Sequence, residues 1–416
     1  MAHRLALGRS SVIDGDSVNI QYTRILVVDD QQDVARTLTR PLREAGGTLT
    51  FVTNGTDALE EVSGGGYDML VVDMKMPPGQ WGGLWLLEKL QQSGAALPAV
   101  VLSGEGQKQQ TVEAMRRGAA DWVDKGKADS ELLESCGRLW ESACAAAIGR
   151  IIATGPSPLA YPYVRYRQAI GTDGQLAAAL RTLEEVVRFA VLIGMATSDA
   201  SVCGPLRKVQ AGSFTRPSFG TLVTTLSELT DAPSCSTVFR ALARQIMPDN
   251  KQRWDKAVTL RNDLHHGSVV PSKAQIDDVL NLVNACAHRI SAVPPLRIGS
   301  HAEMRFDGEA FDITLREYTG VLPPVLSTRL AQVPLLAQGV YAMADGQYFD
   351  LDPWFCVLGA DSGSEALGIY DVAASRRAGP RTEDTLVYAN TVTAERGARR
   401  TDRQATWGEI AEWFGG

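Results

Sequence analysis

Asp73 closes the apolar run Met69-Leu70-Val71-Val72, and three other short runs also deliver a polar group at their C-terminal end. Ile25-Leu26-Val27-Val28 ends in Asp29-Asp30, Ala99-Val100-Val101-Leu102 ends in Ser103, and Asp121-Trp122-Val123-Asp124 ends in Lys125. Three carboxylates held together repel one another, and the natural remedy is a hard divalent cation with oxygen ligands, normally Mg²⁺. With that charge neutralised, Asp73 can act as a carboxylate nucleophile toward a phosphoryl group and form an aspartyl phosphate. The Lys125 ammonium and the Ser103 hydroxyl are the groups to neutralise and hydrogen-bond the phosphoryl oxygens.

For these residues to meet, the runs must be strands of an open parallel α/β sheet, because such sheets bring their strand C-termini to one crevice. The order and spacing of the four runs resemble a response-regulator receiver domain, and the receiver is assigned to 24–147 as a doubly wound, flavodoxin-like α/β fold. The resemblance implies that Asp73 is the phosphoacceptor and that Asp29, Asp30 and Asp73 hold Mg²⁺, joined by the backbone carbonyl of Lys75. It further implies that Ser103 is the switch hydroxyl, Lys125 the phosphate-binding lysine and Trp122 the switch aromatic, with a sensor histidine kinase as phosphodonor. Two departures stand out. Gly126 follows the lysine where the family usually has proline, and the Pro77 to Gly83 loop is about two residues long for the pattern. Trp81 and Trp85 in and after that loop form either a local lid or partner contact, or simple packing beneath it. Lys75 and Glu105 are expected to flank the phosphoryl group as an oppositely charged gate.

The whole chain, 416 residues long, has room for two or three domains. Its hydrophobic content of 44% and charged content of 21% are those of an ordinary globular protein. No apolar stretch reaches membrane-spanning length and the N-terminus lacks a signal-peptide core, so the expectation is a cytoplasmic protein with no membrane partner. The six cysteines include no Cys-x-x-Cys pair, which suits reduced, mostly buried thiols. A net charge of −7 argues against a large non-specific nucleic-acid surface.

Residues 1–23 read as a polar leader and 148–158 as a linker, with Gly155-Pro156-Ser157-Pro158 as its breaker. From 159 to 292 the spacing turns helical and implies an all-α bundle. Candidate helices cover Leu176–Met195, Phe219–Leu229, Ser236–Ile246, Arg253–Leu264 and Lys273–Ile290. From 297 to 416 a small, mostly β domain is expected. Strands are placed at Ala302–Asp307, Gly339–Met343, Phe355–Leu358 and Leu367–Tyr370, with a short helix at Trp407–Phe414.

Within the helical region, Leu260-Arg261-Asn262-Asp263-Leu264-His265-His266-Gly267 resembles the signature of the HEPN superfamily of helical bundles. In ribonucleases of that superfamily, residues matching Arg261 and His266 assist attack of a ribose 2′-hydroxyl on the adjacent phosphate across a dimer interface. The same residues also suit the C-terminal end of a helix, where cations meet the dipole and Gly267 stops the turn. In the β region, Asp350 and Asp352 offer either a metal loop or an ordinary turn before Pro353. Two functional classes follow. One is a phosphorylation-switched adaptor whose output region binds an unknown partner protein. The other is a phosphorylation-gated ribonuclease using Arg261 and His266, with RNA as substrate and a homodimer as its working form.

Overall fold

A computed structural model of the chain describes residues 20–93, 97–104, 108–232, 234–247, 251–267, 269–293, 296–336, 339–359, 366–378, 381–397 and 407–414. The chain divides into two compact units, Met1–Trp140 and Glu141–Gly416.

The first unit alternates strands and helices: β1 Arg24–Val28, α1 Gln32–Leu38, α2 Arg40–Glu44, β2 Thr48–Val52, α3 Gly55–Gly64, β3 Met69–Val72, α4 Gly82–Ser93, β4 Ala99–Ser103, α5 Lys108–Arg116, β5 Asp121–Asp124 and the start of α6, Ala128–Thr154. The five strands form one parallel sheet in the order β2-β1-β3-β4-β5. β3 and β4 are buried along their whole length, which is why they read as unbroken apolar runs rather than as alternation. β2 lies at the sheet edge, and its Thr48-Leu49-Thr50-Phe51-Val52 pattern is half-buried or exposed throughout. Helices close the sheet through side chains such as Leu84, Leu86, Leu87 and Leu90 of α4, which pack with Leu26, Leu70 and Val101. Gly65 and Gly66 take φ of 75° and 108° between α3 and β3, so the glycine run ends the helix in a conformation side chains rarely adopt.

At the far end of the strands from the acidic residues, Arg24 fixes β1 to the residue before β3. Its guanidinium donates to both Asp68 oxygens, at 3.0 and 3.1 Å. In α6 the expected apolar face is present, with Leu132, Cys136 and Trp140 buried and Leu133 and Leu139 half-buried.

The second unit begins within α6, which runs on to Thr154 through most of the stretch expected as linker. Gly155 and Pro156 make a two-residue break, and α7 Ser157–Gln168 starts at once with Pro158 in its first turn, where a missing N–H costs nothing. Next come α8 Thr172–Thr197, the short α9 Ala200–Cys203 and α10 Ala211–Phe214, then α11 Phe219–Asp231, α12 Thr237–Ile246, α13 Lys251–His265 and α14 Lys273–Ile290. α8 is the hub: Leu183, Val186, Val187, Phe189 and Ala190 are all fully buried.

Two antiparallel sheets complete the unit. One, in the order β10-β9-β6-β7-β8, uses β6 Arg297–Phe306, β7 Phe311–Glu317, β8 Val325–Ala331, β9 Val340–Ala344 and β10 Gln347–Asp350. The other uses β11 Phe355–Leu358, β12 Ala366–Ala378, β13 Arg381–Asn390 and β14 Arg396–Gly397, and a 3₁₀ helix spans Trp407–Phe414. Helices and sheets share a core rather than forming separate bodies. Phe189 of α8 meets Phe355 edge-on, Phe214 stacks on Tyr370 of β12, and the Tyr370 hydroxyl donates to the Phe214 carbonyl at 2.9 Å. Among the described residues, no helix is long and apolar enough to cross a membrane.

Candidate functional site

Strand register decides what meets at the carboxyl edge of the parallel sheet. Val28 pairs with Val72, so Asp29 and Asp73 leave the sheet at the same level from adjacent strands. β1 and β3 are also where the strand order reverses, and the crevice of an open α/β sheet lies at that switch point. On the far side of β3, Ser103 closes β4 opposite Asp124, which puts Lys125 one residue beyond.

The side chains converge. Carboxylate oxygens of Asp29, Asp30 and Asp73 lie within 4.8 Å of one another, with Asp29 and Asp73 buried and Asp30 exposed. The Lys125 ammonium bridges two of them, at 2.7 Å from Asp29 Oδ2 and 3.2 Å from Asp73 Oδ1. The other oxygens accept backbone N–H groups, Asp29 Oδ1 from Gln31 at 2.8 Å and Asp73 Oδ2 from Lys75 at 3.1 Å. Burial pushes the Asp73 carboxyl above its ordinary range; Lys125 pulls it down, Asp29 pushes it up again, and the net displacement is upward. Burial opposes the charge on Lys125, but the hydrogen bond and charge of Asp29 and the charge of Asp73 prevail and hold its pKa above the usual lysine value.

All the donors in this cluster are hard oxygens, and two of the three carboxylates share a single ammonium. That donor set fits Mg²⁺. Among the described residues, no other group of three or more acidic, histidine or cysteine side chains is close enough to hold a metal. Asp350 and Asp352 form a turn instead, with the Asp352 N–H donating to Asp350 Oδ1 at 3.0 Å.

Ser103 is buried beside the cluster, its hydroxyl donating to the Gly104 carbonyl at 3.3 Å, and Trp122 packs half-buried against the core. Gly126, in the position of the usual proline, donates its N–H to Asp124 Oδ1 at 2.7 Å and so starts the 3₁₀ turn Lys125–Lys127. A proline could not make that bond. Trp81 and Trp85 both pack against the core, and the Lys75 ammonium lies 5.8 Å from the centre of the Trp81 ring. Glu105, the other half of the expected gate, lies outside the described residues. Gly82 and Gly83 were not among the candidate residues, yet they seat α4 on the loop after Asp73; two adjacent glycines at a helix start were the signal.

The second candidate pair is arranged differently. Arg261 sits on α13 with its guanidinium 3.4 Å from Glu184 of α8, and Glu184 also pairs with Arg188 at 3.6 Å. His265, the last residue of α13, and His266 just past it are exposed, their rings edge-to-face 5.6 Å apart, and Gly267 takes φ of 65° as a stop.

The sheet order and the acid–ammonium crevice define a doubly wound α/β domain with a metal-competent anionic site. The model of the response regulator receiver domain family matches residues 25–136. Response regulator MprA of Mycobacterium ulcerans is 36% identical over 110 residues, covering 26% of this chain and 47% of the relative. Transcriptional regulatory protein DltR of Streptococcus agalactiae is 29% identical over 110 residues, covering 26% of this chain and 48% of the relative. The chain therefore spans about half the length of the curated relatives it matches. Among solved structures, the receiver domain of NtrX from Brucella abortus is 30% identical with a TM-score of 0.27, covering 28% of this chain and 98% of that one.

Proposed function

We propose that this protein is a two-component response regulator, phosphorylated on Asp73 by a sensor histidine kinase. The observation that carries this reading is the Lys125 ammonium shared between buried Asp29 and Asp73, at 2.7 and 3.2 Å. In this reading Asp73 Oδ attacks the phosphorus of a phosphohistidine, the P–N bond breaks and the imidazole departs with a proton. Asp29, Asp30, Asp73 and the Lys75 carbonyl would hold Mg²⁺, which supplies charge neutralisation for the incoming phosphoryl oxygens. Lys125 binds one phosphoryl oxygen and the Ser103 hydroxyl turns to another, with Trp122 following it as the switch aromatic.

The output half, read as a HEPN-like helical region carrying β sheets, acts as an adaptor for a partner protein. The Arg261–Glu184 pair favours the adaptor over a ribonuclease, since a guanidinium already engaged with a carboxylate of α8 is less free to clamp a phosphate. The test is labelling of the full chain by a small phosphodonor with and without Mg²⁺. A base-labile phosphoryl group that depends on Mg²⁺ and disappears in Asp73→Asn is expected; equal labelling of that variant overturns the assignment. Cleavage of labelled RNA lost in His266→Ala would overturn the adaptor reading.

A further inference from the structure

Cys203 and Cys235 are 32 residues apart in sequence, yet their sulfurs stand 3.6 Å from one another. The thiols differ in access: Cys235 is buried, whereas Cys203, the last residue of α9, is only half-buried. The backbone around them is already fastened. The Thr197 and Ser236 hydroxyls are 2.6 Å apart, and the Ser236 N–H donates to Ser198 Oγ at 3.0 Å. Ser236 also caps α12, and Asp199 caps α9, so both cysteines are flanked by fixed helix ends. Closing the sulfurs to a bond of about 2.05 Å is a matter of about 1.5 Å of side-chain rotation.

We propose that Cys203 and Cys235 are a modification site, a dithiol that forms a reversible intramolecular disulfide by exchange with a small organic disulfide. The Cys203 thiol loses its proton and its sulfur attacks the small disulfide; one small thiolate leaves and a mixed disulfide forms on Cys203. The Cys235 thiol then loses its proton and attacks Cys203 Sγ, expelling the second small thiolate. Two protein thiols are oxidised by two electrons, one small disulfide is reduced to two thiols, and the two protons pass to the leaving groups. The half-buried cysteine is the point of attack, and the buried one resolves.

The bond would close a loop that contains α10 and α11 and reaches the C-terminal helix. Within that loop the Leu206 N–H donates to the Trp413 carbonyl at 2.8 Å, and Phe214 packs on Phe414 with ring centres 5.0 Å apart. Cross-linking such a loop restricts the unfolded chain, so the oxidised form melts higher. Burial, the contact with Cys235 and the nearby Asp199 carboxylate push the Cys203 thiol up to about 12, which makes exchange slow at neutral pH and faster as pH rises.

The test is incubation of the full chain with oxidised glutathione at mildly alkaline pH, followed by alkylation of the remaining thiols, digestion and mass spectrometry. The wild-type chain should give a peptide pair joined through Cys203 and Cys235, two fewer alkylated thiols, and a higher melting temperature that reverts on reduction. Cys235→Ser should stop at glutathione on Cys203, and Cys203→Ser should leave Cys235 free. Alkylation of both thiols in the wild-type chain, a glutathione adduct that persists on Cys203 beside free Cys235, or a different cysteine pairing would each overturn the proposal. The wild-type measurement decides the matter even where a variant folds poorly.

Discussion

Asp73 and Glu317 are both 6% exposed, yet their surroundings displace them in opposite directions. Burial would raise either carboxyl. Around Glu317 the Ser327 hydroxyl and the guanidiniums of Arg329 and Arg297 outweigh it, and the carboxyl is held below its usual range. Arg329 donates at 2.6 and 2.9 Å to one oxygen, and Arg297 at 3.2 Å to the other. Asp73 must share Lys125 with Asp29, and its carboxyl stays high. A carboxylate with more than enough partners serves the fold. One with too few, in an open-sheet crevice, suits the proposed role of holding a cation and accepting a phosphoryl group.

That contrast breaks first on chemistry. Asp73→Asn is expected to abolish base-labile phosphoryl labelling, whereas Glu317→Gln should leave it at the wild-type level; loss of labelling in both would erase the distinction. Stability should split the other way. Glu317→Ala leaves two arginines without their carboxylate and should cost about 2–3 kcal/mol in denaturant unfolding, less than a fully buried pair because those arginines are partly exposed. Asp73→Asn relieves charge repulsion and should be neutral or stabilising by up to about 1 kcal/mol in the same measurement without added metal.

Acid sharpens the comparison further. Because Glu317 is lowered in the folded protein, its contribution is fully present above the ordinary value of 4.5 and is lost as pH falls through the lower folded value. The melting difference between wild type and Glu317→Gln should shrink over that acidic range; a difference independent of pH would mean that the arginines do not hold the charge. The smallest effect belongs to α13. Arg261→Ala should cost about 0.5–1 kcal/mol through the partly exposed pair with Glu184, and His266→Ala should fall within about 0.5 kcal/mol of wild type, both read by thermal melts.

The carboxylate crevice was legible because β1, β3 and β4 announce themselves locally, each an apolar run almost wholly buried and followed or closed by a polar residue, whereas β5, Asp-Trp-Val-Asp, is mostly half-buried. β2 carried no such run, since an edge strand is half-exposed and its threonines break the pattern. β7 did alternate, with Ile313, Leu315 and Glu317 inward, but a charged residue at an inward position disguises the period. Its partners lie 12 and 20 residues away, a pairing that only the sheet register reveals. The Cys203–Cys235 contact was hidden for the same reason, as was the sharing of one core by the second unit's helices and sheets. Five helices of the second unit, α8, α11, α12, α13 and α14, were readable from periodicity, whereas α9 and α10, four residues each, are too short to show a period.

The seating of α4 has a mechanical corollary. A methyl group at Gly83 would strike the carbonyl oxygen of Asp73 and lie 2.9 Å from Met74 Cα, and one at Gly82 would strike the carbonyl oxygens of Met76 and Pro77. The joint has no slack. A compliant joint absorbs small displacements, whereas one assembled backbone to backbone passes them on, as a rigid linkage does. Any shift of the main chain at Asp73 is therefore delivered to the first turn of α4, and the leucines of that helix carry it onward as one body.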